Sequence, residues 1–266
     1  MAPKRSKGTG ALEQKTSTVL SPVPVSSRSN DLYAALDLGT NSCRMLIAQP
    51  RGGGFHVVDS FSKSVQLGAG LEKTGRLSRG SMARTIQALR ICQQKLRRNK
   101  VKRMRLVATE ACRRATNGEE FMRRITRETG LRLEIIAPEQ EAQLAVISCA
   151  PLVSAKTENL LVVDIGGGST ELVWIDISQV PKKDRAQSIM RLHNGFVQAP
   201  TDIPAARVVD WISVPLGVAT LRDQFSDVED DAARFALMSW FFEENLTDFT
   251  PYQSAQPQER FQIVGT

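Results

Sequence analysis

The sequence predicts an α/β protein made of two related lobes that face each other across a cleft. Strand-length apolar runs alternate with amphipathic helical stretches over residues 31–149, in the order β-β-β-α-β-α-β-α, which suits a mixed sheet with helices on its faces. The pattern Leu36-Asp37-Leu38-Gly39-Thr40-Asn41-Ser42 returns as Val163-Asp164-Ile165-Gly166-Gly167-Gly168-Ser169. In each copy an Asp leaves a strand, a Gly two residues on permits a tight turn, and a hydroxyl three further on leads into the next strand. Two homologous lobes would set both turns across a shared cleft, and 266 residues suffice for them.

The elements follow in order. Residues 1–30 carry Lys4, Arg5, Lys7, Lys15 and Arg28 among Ser, Thr, Pro and Gly, without a signal-peptide core, and are expected to form a disordered basic tail. Apolar runs at 33–38, 44–49 and 55–61, broken by Gly39-Thr40-Asn41-Ser42 and Gly52-Gly53-Gly54, read as an antiparallel meander. Ser78 precedes a helix with Met82, Ile86, Leu89 and Leu96 on one face; a strand at 104–108, a helix at 119–129 and a strand at 131–136 come next. Pro138 opens a helix through 149, at a first-turn position where its missing donor costs nothing. After the strand that ends at Ile165, strands are expected at 171–177, 209–214 and 261–264, and helices at 217–225 and 229–247. The polar, Pro-containing segment 181–208 receives no assignment. The expected domains are the tail 1–30, a first lobe 31–144 and a second lobe 145–266 that is incomplete at its C-terminus.

The net charge of +7 is concentrated. Fifteen cationic residues lie between Arg84 and Arg132, against Glu110, Glu119, Glu120 and Glu128 in the same span. That field either attracts a polyanion or is a solvated helix face. No run approaches the roughly 18 apolar residues of a membrane-spanning helix, so no membrane partner is expected. Cys43, Cys92, Cys112 and Cys149 lack paired spacing and read as reduced, structural thiols of a cytoplasmic protein. His56 and His193 fit no metal-ligand pattern with one another.

A strand–glycine–strand turn exposes backbone N–H groups that can wrap phosphate oxygens, and the adjoining Asp can hold a hard cation. A lone turn of this kind is usually only a turn; the duplicated pair favours a phosphate site, with Gly166, Gly167 and Gly168 leaving no side chain to obstruct a ligand. Glu171, two residues past Ser169, is either an exposed strand charge or a partner of the cation. Glu139 and Glu141 stand in the first turn of a helix, where the macrodipole favours acids. Glu139 is expected to do only that, whereas Glu141 could face the cleft as a general base. Arg113 and Arg114 follow a strand end where ligands of α/β folds sit, and a guanidinium there suits bidentate phosphate binding or is simply solvated.

Together, Tyr33-Ala34-Ala35-Leu36-Asp37-Leu38-Gly39-Thr40-Asn41-Ser42, Thr109-Glu110-Ala111-Cys112-Arg113, Glu139-Gln140-Glu141-Ala142 and Asp164-Ile165-Gly166-Gly167-Gly168-Ser169-Thr170-Glu171 closely resemble the exopolyphosphatase/guanosine-pentaphosphate phosphatase (Ppx/GppA) family. Ser213-Val214-Pro215-Leu216-Gly217 looks like a further motif of its second lobe. The resemblance implies two ribonuclease H-like, actin-like lobes and a phosphatase that removes terminal phosphate from polyphosphate or guanosine pentaphosphate with a divalent cation, usually Mg2+. It implies Glu141 as catalytic base and Arg113 as a phosphate-binding arginine. It further implies Gly39, Thr40, Asn41, Ser42, Gly166, Gly167, Gly168 and Ser169 around phosphate, and Asp37, Asp164 and Glu171 around the metal. Nucleic acid is not expected as a partner, and the resemblance leaves room for a homodimer. Family members continue past a strand like 261–264 into a further phosphate-contacting turn, of which Gly265 and Thr266 are present. An actin-fold ATPase or kinase and a non-catalytic polyanion-binding module are the alternatives.

Overall fold

Alternation decides the first strand: in Tyr33–Leu38 (β1), Ala34, Leu36 and Leu38 enter the core, while Ala35 and Asp37 lie on the other face. The computed structural model describes residues 31–52, 54–196, 204–251 and 260–266; the expected basic tail lies outside them. β1 pairs antiparallel with Ser42–Arg51 (β2), which pairs antiparallel with Gly54–Ser64 (β3). On its other side β1 runs parallel to Arg103–Ala108 (β4), and β4 to Glu134–Ile135 (β5), giving the order β3-β2-β1-β4-β5.

The helices Leu71–Thr74 (α1), Arg79–Arg98 (α2), Glu110–Arg114 (α3) and Gly118–Thr129 (α4) complete the first lobe. Ser78 caps α2 by accepting from the Ser81 N–H, and Lys95, Arg97 and Arg98 fill its last turn, where cations suit the helix dipole. Its buried stripe, Ile86, Leu89, Cys92 and Leu96, packs with Phe121 and Ile125 of α4 against β1 and β2.

The second sheet repeats the first. Asn159–Ile165 (β6) pairs antiparallel with Thr170–Asp176 (β7) and parallel with Phe261–Gly265 (β9), and β7 pairs antiparallel with Arg207–Val214 (β8). The order β8-β7-β6-β9 corresponds to β3-β2-β1-β4 in position and in strand sense. Pro138–Cys149 (α5) packs Ala142, Ala145, Val146 and Cys149 into this lobe's core with Val173, Ile175 and Ile189. On the opposite face of β7, Leu172 and Trp174 meet Phe249, so that strand is buried on both sides. The lobe also holds Arg185–Met190 (α6), Val218–Gln224 (α7) and Asp231–Asn245 (α8).

Trp174 stacks on Phe261 with ring centroids 4.9 Å apart, and Trp211 leans on Phe196. By contrast α8, capped by Asp230, buries none of its residues and leaves Trp240 and Phe235 exposed.

Several elements differ from expectation. The strand expected at 131–136 shrinks to two residues, because only Glu134 and Ile135 find partners, at Val107 and Ala108; Leu131 is buried from a loop instead. The unassigned segment 181–208 contains α6 and the start of β8. Arg113 and Arg114 sit on the short helix α3. Among the described residues no helix is long and apolar enough to cross a membrane.

Candidate active site

The two glycine turns meet. The first lies between β1 and β2 and is closed by the Gly39 N–H donating to the Ser42 carbonyl; the second, between β6 and β7, is closed by Gly166 donating to Ser169. Both bonds are 2.9 Å. A side chain at Gly168 would put its Cβ 2.3 Å from Thr40 Oγ1, and one at Gly167 would stand 3.0 Å from the Asn41 Cβ. The lobes therefore touch through backbone and small side chains, and only glycine permits that approach. A third segment locks the second turn: Val218 and Ala219, at the start of α7, donate to the carbonyls of Gly166 and Gly167. Gly217 packs so closely that a Cβ there would lie 2.4 Å from the Gly167 carbonyl carbon.

Between the turns runs a cleft of about 440 Å³. It is lined by all of the sequence-predicted site residues except Arg113 and Glu171, which stand behind it. Asp37 and Asp164 leave their strands at its floor. Thr266 donates to Asp164 at 2.6 Å. The Thr40 hydroxyl oxygen is buried and has no hydrogen-bond partner among the described residues, as expected of a group waiting for a polar ligand.

Glu141, at the start of α5, reaches the cleft wall. Its carboxylate accepts from both terminal nitrogens of Arg113, at 3.3 and 3.2 Å. Arg113 is itself fixed by the Ile136 carbonyl at 2.6 Å and by Glu110 at 2.5 Å. Glu171 is buried and accepts from Ser213 at 2.7 Å, so it is not an exposed strand charge. Glu139 stays on the surface, where it accepts from Gln143.

The cleft's acids are hard to ionise. Burial, with the Glu171 charge adding to it, pushes the Glu141 carboxyl up to about 7 despite Arg113. Burial raises Asp37 to about 6, opposed by Arg44 and reinforced by Asp164. Glu171 is raised by burial as well, against the hydrogen bonds from Ser213 and Ser169. Burial thus outweighs the relief that Arg44 and Arg113 give these carboxylates. Among the described residues no three His, Cys, Asp or Glu side chains cluster tightly enough to cage a metal alone. The donor set fits magnesium in its usual mode instead, held by one or two carboxylates with water and phosphate completing the shell.

Sequence reasoning gave no role to three charged lining residues, Arg44, Glu110 and Arg222. Arg44 pairs with Asp37 across β1 and β2, and strand alternation from Ser42 could have pointed to it. Glu110 sat in a quoted motif without a role, yet it is buried and holds Arg113. Arg222 reaches the cleft only through the fold of the second lobe and left no signal, whereas Thr266, expected as part of a further phosphate-contacting turn, also lines it. Carboxylates from outside the cationic span also meet part of it, Asp59 pairing with Lys95 and Arg98, Glu72 with Arg114, Glu134 with Arg105, and Glu141 with Arg113.

Comparison with known proteins adds an independent line. A model of the Ppx/GppA phosphatase family matches residues 46–250. A guanosine-5'-triphosphate,3'-diphosphate pyrophosphatase of Aeromonas salmonicida is 34% identical over 208 residues, 78% of this chain and 36% of its own. A protein of the same name from Aeromonas hydrophila is 37% identical over 169 residues, 64% of this chain and 33% of its own. The chain thus spans about a third of the length of the curated relatives it matches. The solved Ppx/GppA enzyme of Aquifex aeolicus aligns with a TM-score of 0.60 at 31% identity, over 88% of this chain and 67% of that one. An exopolyphosphatase from Cytophaga hutchinsonii aligns with a TM-score of 0.66 at 20% identity, over 88% of this chain and 66% of its own, a likeness of fold.

Proposed function

We propose, because this chain belongs to the Ppx/GppA phosphatase family, that its cleft hydrolyses the terminal phosphoanhydride bond of inorganic polyphosphate or guanosine pentaphosphate. The observation that carries the reading is Glu141: a carboxyl pushed up to about 7, on the wall of a cleft bordered by two glycine turns. A base poised near the working pH can take a proton from water and still be regenerated.

The terminal phosphate lies against the turns Gly39–Ser42 and Gly166–Ser169, whose backbone N–H groups and hydroxyls, Thr40 included, bind its oxygens. Glu141 orients a water and accepts its proton as the oxygen attacks phosphorus and the bond to the bridging oxygen breaks; the shortened chain leaves with that oxygen. Arg113 holds the Glu141 carboxylate in place, and Arg44, beside Asp37, adds positive charge at the cleft. Asp37 and Asp164 would hold a divalent cation, supported from behind by Glu171, and the bound ion would neutralise charge on the phosphate oxygens. We assign the protein to the cytoplasm, a reading supported by four buried free thiols.

The test is phosphate release from polyphosphate and from guanosine pentaphosphate in the presence of magnesium. Glu141→Gln keeps the shape and removes the proton acceptor, so turnover should fall roughly a hundred- to ten-thousandfold with substrate affinity unchanged or tighter. Glu139→Gln is the control and should leave turnover intact. The reverse pattern would sink the assignment of the base.

A further inference from the structure

A second cavity, of about 340 Å³, lies outside the cleft on the first lobe, where α2 and α4 begin. Three guanidinium groups line it: Arg76 from the loop before α2, Arg79 from the first residue of α2, and Arg124 from α4. Its walls are tied together. Asn117 accepts from the Leu77 N–H at 2.8 Å and donates to the Leu77 carbonyl at 3.0 Å, while the Thr116 N–H donates to Gly75.

The charge arrangement is adverse as it stands. A helix N-terminus repels cations, yet α2 opens with Arg79 and carries no acid in its first turn. Among the described residues Arg79 has no ion pair, and the hydrogen bond of Arg76 goes to the neutral Thr116 hydroxyl. Arg124 meets Glu128 through its Nε. The one acid in the lining is Glu120. Elsewhere on this lobe the fold brings Asp59, Glu72 and Glu134 to arginines and lysines that need them; among the described residues it brings no such partner to Arg76 or Arg79.

The cavity is also close to the cleft along the chain. α3 starts at Glu110 in the cleft wall and ends at Arg114, and Thr116 and Asn117 then lead to the cavity.

We propose that this cavity is a second oligophosphate-binding site, in which Arg76, Arg79 and Arg124 grip two or more adjacent phosphate groups. Guanidinium forks match phosphate oxygens in geometry and charge, and the bound anion offsets the repulsion at the start of α2. The ligand class is a linear phosphate chain, free or as the tail of a nucleotide. That the same chain is also the substrate rests on the phosphatase reading; that the cavity binds oligophosphate does not.

Calorimetric titration of the whole chain with tripolyphosphate, in chelator and without turnover, separates the two. The wild type should take up two equivalents. Arg76→Gln combined with Arg79→Gln should lose one of them, weakening that site roughly ten- to a hundredfold while the other is retained. Glu120→Gln should tighten the same site. Near-UV circular dichroism checks that each variant is folded. GTP distinguishes the sources: equal or weaker binding than tripolyphosphate assigns the site to an inorganic chain, and tighter binding assigns it to a nucleotide tail. An unchanged isotherm in the double variant, or a single equivalent in the wild type that the double variant retains, overturns the proposal whether or not the cleft proves to be a phosphatase.

Discussion

Arg113 shows how much one side chain can decide. It stands between two carboxylates, closer to Glu110 at 2.5 Å than to Glu141 at 3.2 Å, and its charge lowers the Glu141 pKa that burial raises. Arg113→Gln removes that charge, so the Glu141 pKa should climb above its present value of about 7. The acid limb of the pH–rate profile should then move to higher pH, with turnover at neutral pH falling accordingly. A limb that stays in place would show that Glu141 does not set it. The place of Glu141 at the cleft was legible because it lies in a short motif at a helix start, whereas Arg113, expected on phosphate, is held between Glu110 and Glu141. The role of Glu110 was not legible, since it arises from a side-chain contact that no spacing encodes.

At the level of elements, the glycine turns were readable from the repeat, because a tight turn between two apolar strands demands that residue type at a fixed offset. Gly217 caps the start of α7, where a helix was expected to begin, and is a tight packing position as well. Gly217→Ala would drive a methyl group to 2.4 Å from the Gly168 nitrogen, displacing the turn that α7 holds. We expect a loss of about 1–3 kcal/mol in stability, together with weakened phosphate binding. Gly54→Ala, where nothing lies within 4 Å, should be neutral in both. Chemical denaturation of the two variants decides the matter; equal stability would mean that the turn gives way freely. Where periodicity misled, at 131–136, alternating Leu131, Leu133 and Ile135 imitated a strand, yet pairing is limited to the two residues that reach the end of β4.

Over the whole molecule, the cleft stores electrostatic cost. Asp37, Glu141 and Glu171 all bind protons more tightly than free carboxyls do, so the folded state carries extra protons from their ordinary range up to about 7. Stability must therefore fall as pH rises through that window. The carboxylates with lowered pKa values, Asp59, Glu128 and Asp176, act below their ordinary range and leave the window untouched. In chelator the melting temperature should decline between about pH 5 and about pH 8, and magnesium added at the upper end should restore much of the loss. A flat profile, or one indifferent to magnesium, would count against a cation at Asp37 and Asp164. The charge map was the least legible property at this scale. The +7 balance is plain in composition, but which cations stay free depends on acids such as Asp59 and Glu72 that the fold brings from elsewhere in the sequence.

The aromatic residues of the second lobe have an optical consequence. All three tryptophans, Trp174, Trp211 and Trp240, lie in residues 145–266, and the first lobe has none. Indole emission is therefore a reporter of the second lobe alone, dominated at long wavelength by Trp240 on the surface of α8. If the lobes unfold separately, a fluorescence melt will follow one of them and circular dichroism will follow both. The lag between the two curves then measures how strongly contact through the glycine turns couples one half of the protein to the other.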